Sequence, residues 1–135
     1  MATRSRIGIE NVDGTISSIY CHWDGYPKNN AVLLERHYQN REKVEKLINL
    51  GSISYLAPLV EPTTETHSFN SPEDDVVVAY HRDRGEEYIE PRVDNSKEDY
   101  LSSDLEEYGY LYTLEGEWLV ILSKEKIEKC SDYLR

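Results

Sequence analysis

Ile7 and Ile9 alternate with Arg6, Gly8 and Glu10 along "RSRIGIE" (4–10), the period-two pattern of a strand buried on one face. "TISSIYC" (15–21) reads as a second strand with broken alternation, and the "NVDG" between them ends in Asp-Gly, a strong hairpin signal. After the Gly25-Tyr26-Pro27 turn the period changes. "NNAVLLERHYQ" (29–39) has helical spacing, with Leu33, Leu34, His37 and Tyr38 on one face. Asn40 reads as the N-cap of a helix over 41–50. Its apolar stripe is Val44, Leu47, Ile48 and Leu50, and Gly51 occupies the C′ position.

Residues 52–72 contain Pro58, Pro62 and Pro72 and predict a long, partly structured loop. "DVVVAYHR" (75–82) is a dense β-branched run, the pattern of a central strand buried on both faces. Residues 83–95 read as loop or edge. Ser96 and Asp99 open a short acidic helix within 96–108 in a capping-box-like arrangement. Segments 109–114 and 117–122 flank Glu115-Gly116 as a second hairpin, and the tail is a terminal helix or an extra strand. The expectation is an α+β fold: a single domain over 1–135, with a mostly antiparallel sheet of about five strands and two to four helices.

Composition narrows the classes. The 135 residues are 39% hydrophobic, enough for one core. No apolar run long enough to span a bilayer and no signal-peptide core occur, which predicts a cytoplasmic protein without membrane contact. Cys21 and Cys130 are far apart and read as reduced thiols. The net charge of −11 is uneven: seven Lys/Arg face six Asp/Glu over residues 1–60, and eight face twenty over 61–135. That balance argues against duplex nucleic acid, whose affinity comes from neutralised phosphates. It leaves room for a basic protein partner, or simply for a well-solvated acidic surface.

Three stretches carry candidate chemistry. "IYCHWDGYP" (19–27) brings Cys21, His22, Trp23, Asp24 and Tyr26 together. In an extended chain His22 and Asp24 share a face, as a general-base pair requires, whereas Cys21 points away from His22. The bland alternative is that Trp23 plugs a core and Asp24-Gly25 caps a turn. "AYHRDRGEE" (79–87) supplies Tyr80, repeats the spacing in His81 and Asp83, and adds Arg82 and Arg84, suited either to anion recognition or to local ion pairs. "TRSR" puts Arg4 and Arg6 on one face of the first strand. With that strand beside 75–82, the four arginines would converge on one pocket, walled by Trp23, Tyr26, Tyr80 and His67. The expected ligand-binding set is therefore Arg4, Arg6, His22, Trp23, Asp24, Tyr26, Tyr80, His81, Arg82 and Arg84. No metal-ligand spacing, phosphate loop or nucleophile elbow appears, so no metal, cofactor or catalytic residue is assigned.

The succession "MATRSRIGIEN", "IYCHWDGYP", "REKVEKLINLG", "HSFNSPEDDVVVAYHRDRGE" and "YLYTLEGEW" resembles a family of small proteins from tailed bacteriophages, most strongly over 2–27, 41–51 and 67–86. The resemblance implies an accessory protein acting in the cytoplasm of an infected bacterium, in host takeover or against host defence, usually by binding. It assigns no site residue. The leading expectation is a non-catalytic protein that sequesters a small anionic nucleotide-type signal in an Arg/aromatic pocket. The alternatives are an acidic inhibitor of a host protein, docking through residues 83–107, and a small hydrolase acting on a nucleotide signal through His22, His81, Asp24 or Asp83. A homo-oligomer fits any of them.

Overall fold

A computed structural model describes residues 2–134. Strands β1 (Ser5–Glu10) and β2 (Ile16–Cys21) form the expected hairpin, with Ile7 opposite Ile19 and Gly14 at φ 90° in the turn. Helices α1 (Asn30–His37) and α2 (Arg41–Asn49) then cross over to β3 (Ile53–Tyr55), which runs parallel to β2. A parallel neighbour requires such a crossover. β4 (Val78–Ala79) leads into α3 (Tyr80–Arg84), and β5 (Arg92–Asp94) is followed by α4 (Lys97–Ser102). β6 (Tyr108–Tyr112), β7 (Trp118–Ser123) and β8 (Lys126–Lys129) form a meander that ends in a 3₁₀ turn, Cys130–Tyr133.

The sheet order is β4-β3-β2-β1-β6-β7-β8, with β5 beside the N-terminal half of β2. The fold is α+β as expected, but the sheet has eight strands rather than about five. It is mixed, because both β1–β6 and β2–β3 are parallel. Of the three additional strands, β3 and β5 span three residues each, too short for a periodic pattern, and β8 is the extra strand that is one of the two alternatives for the tail. The run 75–82 is also corrected: only Val78–Ala79 is strand, and it lies at the sheet edge. Its valines are buried nonetheless, because the chain at Leu59 hydrogen-bonds alongside them (Val77 N–H to Leu59 O, 2.8 Å).

The two sheet faces are covered differently. On one, Ile7, Ile9, Ile19, Ile53, Tyr110 and Val120 pack under α1 and α2, which contribute Leu34, Val44 and Leu47. Asn40 caps α2 by accepting from Lys43 N–H, and Gly51 follows at φ 77°. The polar atoms of the large aromatics are satisfied inside this core: Trp118 Nε1 donates to Tyr38 O (2.8 Å) and Tyr38 Oη to Ala57 O (2.6 Å). On the other face, Tyr100 of α4 and Leu105 cover Ile16, Leu111 and Ile121. Tyr100 comes so close to β1 that a Cβ at Gly8 would lie 2.9 Å from its hydroxyl. Among the described residues, no helix is long and apolar enough to cross a membrane.

Candidate functional site

Strand alternation places Arg4, Arg6, Tyr20 and His22 on the α4 face of the sheet, because their neighbours Ile7, Ile19 and Cys21 belong to the opposite core. Arg6 lies directly across from Tyr20 in the β1–β2 register. The Tyr20 hydroxyl and His22 Nδ1 are 2.7 Å apart, and the His22 ring meets Trp23 edge-on at 4.8 Å. Tyr80, the first residue of α3, lies close enough to the Tyr20 phenol to act on it electrostatically, and its N–H donates to Ser52 O at 3.3 Å. Tyr20 and His22 are half-buried, without the complete cover that Tyr100 of α4 gives Ile16 and Leu111. Trp23 is 42% exposed.

The strip mixes both signs of charge: Arg4, Arg6 and Arg92 lie among Asp94, Glu106 and Glu107. Arg6 Nε donates to Ser18 Oγ (3.0 Å) and one terminal nitrogen to Ser18 O (3.3 Å); among the described residues the other has no acceptor. Burial and the nearby Arg92 guanidinium lower the pKa of Arg6. Burial raises that of the Tyr20 phenol, against the pull of Arg4. The Arg4 guanidinium is half-exposed, 4.0 Å from Glu106, and its backbone N–H donates to Glu107.

The remaining expected residues go elsewhere. β1 is three places from β4, roughly 14 Å at the usual strand spacing, so the four arginines do not converge. Arg82 is committed to the fold: it donates to Val60 O (2.6 Å), Val77 O (2.7 Å) and the carboxylate of Asp83 (2.8 and 3.0 Å). The cavity it borders, about 320 Å³, is walled by α2 and residues 60–62, away from Arg6. Arg84 stacks on Phe69 (4.2 Å) and Tyr80 (5.2 Å) and pairs with Glu86, which puts it at the margin of the strip. Asp24 holds a left-handed turn at φ 56°, and Tyr26 follows it, 41% exposed. Gly25 N–H donates to Thr3 O, and Gly25 O accepts from Tyr110 Oη (2.6 Å), which fixes this turn against the strand ends.

Neither His-x-Asp spacing forms a base–carboxylate pair. His22 uses Nδ1 on Tyr20, and His81 uses Nδ1 on Glu86 O while packing against Tyr88. Asp83 instead faces His67, with Nε2 3.2 Å from Oδ2 in a poorly aligned contact. His67 Nδ1 accepts Glu73 N–H (2.9 Å), and the side chain is 1% exposed, so His67 is a buried pin for the 61–74 loop and offers no stacking wall. Cys21 is also poorly suited to nucleophilic chemistry, because burial pushes its thiol up to about 11. Among the described residues, no three His, Cys, Asp or Glu side chains cluster as a metal ion would require.

Sequence reasoning missed Tyr20, Arg92 and Phe69. Tyr20 had a readable signal, as it lies two residues before His22 and shares its face. Arg92 had none, because its position depends on β5 pairing with β2 across a long loop. No family model matches the chain, and no curated protein or solved structure matches it.

Proposed function

We propose that this protein is a non-catalytic binding protein for a small anionic ligand of nucleotide type, held along the strip of Arg4, Arg6, Tyr20, His22 and Tyr80 with Trp23 beside it. The carrying observation is the pairing of Arg6 with Tyr20 across the β1–β2 register, next to the Tyr20–His22 hydrogen bond, on a half-covered sheet surface. Guanidinium groups suit phosphate oxygens, and the aromatic rings offer faces for a base. The acidic remainder of the chain disfavours long polyanions. The Nδ1 contacts of His22 and His81, neither of them to a carboxylate, favour binding over hydrolysis. In the tailed-phage setting that the sequence resemblance implies, capture of such a signal would antagonise host defence.

The test is native mass spectrometry with a panel of mononucleotides and cyclic dinucleotides, against wild type, Arg6→Ala and His22→Ala. The expected result is one compound bound intact to wild type, with at least tenfold weaker binding in both variants, the loss expected for about 1.4 kcal/mol. Turnover of the compound would overturn the non-catalytic reading. The absence of binding, or binding that both variants retain, would overturn the site.

A further inference from the structure

β8 (Lys126–Lys129) is the last strand of the sheet, and its outer edge has no neighbour among the described residues. The sequence along it is Lys126-Ile127-Glu128-Lys129, with Glu125 in the turn before it. Edge charges usually block unwanted pairing. Here their order does the opposite in one register. When two copies pair antiparallel about Ile127, Lys126 faces Glu128 of the second copy on both sides of the axis. The two charged positions that flank the axis each meet their opposite, and the two Ile127 side chains meet on the axis. Directly opposed charges of unlike sign stabilise an antiparallel pair and like charges destabilise it. A slip of one residue sets Lys126 against Lys129 in one direction and against Ile127 in the other, and neither forms an unlike pair, so the pattern favours a single register.

Two features prepare this edge. Ile127 is 38% exposed, an apolar side chain at the centre of a charged strand. Glu128 accepts a hydrogen bond from the Tyr133 hydroxyl, which holds the carboxylate in place and leaves its second oxygen available. Lys129 is already paired with Glu117 (3.2 Å), whereas Lys126 forms no ion pair among the described residues. We infer that β8 is a self-association edge: two copies of this chain join antiparallel through Lys126–Glu128 pairs about Ile127 and make one sheet continuous across the dimer. The strand is short, so the dimer is concentration-dependent, well below the size of an obligate interface.

Sedimentation velocity and native mass spectrometry across a protein dilution series test this, with thermal melts to verify that each variant folds. Wild type is expected to show a dimer that grows with concentration. Lys126→Glu and Glu128→Lys each set like charges opposite one another twice, and each is expected to weaken the dimer by on the order of tenfold or more. In a mixture of the two single variants, both carboxylates of one copy face both ammonium groups of the other, and a heterodimer is expected. The double variant is expected to restore the homodimer. A wild-type protein monomeric up to millimolar concentration, or single variants that dimerise like wild type, would overturn the inference. The result is independent of ligand binding at the β1–β2 strip.

Discussion

Replacing Arg82 with alanine tests the division between structural and ligand-facing arginines. Asp83 is 3% exposed and has the Arg82 guanidinium and the Ala79 N–H as its well-formed partners. Breaking a buried ion pair from one side costs about 3–5 kcal/mol. The Arg82 side chain is 25% exposed, so water can reach part of the vacated space and the loss should be near the lower end, about 3 kcal/mol. For a chain of this length that is roughly a 10 °C fall in Tm. The pH dependence carries a sign. Burial pulls the Asp83 carboxyl upward, but hydrogen bonds from Arg82 and the Ala79 N–H, with the close approach of His67, outweigh it and hold the pKa below its usual value. Its contribution is therefore present above the unfolded carboxyl pKa of about 4 and is lost as pH falls through the lower folded value. In Arg82→Ala the burial effect dominates and the folded pKa rises, so protonation relieves the variant. Urea unfolding should show the gap between the two proteins at its largest near pH 7 and narrowing below about pH 4. A gap under about 0.5 kcal/mol at pH 7, or one that does not narrow in acid, would refute this account of Arg82.

Gly8→Ala places a methyl group 2.9 Å from the Tyr100 hydroxyl, which itself donates to Tyr110 O, and should cost about 1–3 kcal/mol in urea unfolding, with faster amide exchange in α4. Unchanged exchange in α4 would mean that Tyr100 does not anchor it. Cys21 and Cys130 are both fully buried, with thiols that burial raises, so an aromatic disulfide reagent at pH 8 should leave the native protein unmodified and label both sites only in denaturant. Labelling of native Cys21 would show that its strand end opens readily.

What the sequence discloses here is local. The β1–β2 hairpin, α2 with its Asn40 cap and Gly51 terminus, and the β6–β7 hairpin rest on periodicity, turn residues and caps, interactions that span only a few positions. The parallel pairings of β1 with β6 and β2 with β3 rest on contacts between distant segments, and no periodic signal in either strand names its neighbour. The valine run at 76–78 misled for the same reason. β-branched density reports burial, and burial there comes from the Leu59 segment rather than from a strand on each side. The His-x-Asp spacings failed on geometry: the left-handed turn at Asp24 and the start of α3 at Tyr80 both end the extended conformation that the pairing needed.

The arginines show how the candidate site separates from the fold. All four expected ones lie in stretches that look alike in sequence, and charge count alone cannot rank them. Their acceptors can. Arg82 spends its donors on two main-chain carbonyls and a buried carboxylate, so an incoming anion would have to displace contacts that hold the chain around Val60 and Val77. Arg84 is half-exposed but already stacked on two rings and paired with Glu86. Arg6 differs: its side-chain hydrogen bonds go to Ser18 alone, one terminal nitrogen is without an acceptor among the described residues, and burial and Arg92 disfavour its charge while Glu106 and Asp94 only partly offset them. Of the four it has the most to gain from a phosphate and the least to lose. Ligand recognition on the proposed reading should therefore centre on the β1–β2 strands. Mutations at Arg6 should change affinity more than stability, and mutations at Arg82 should do the reverse.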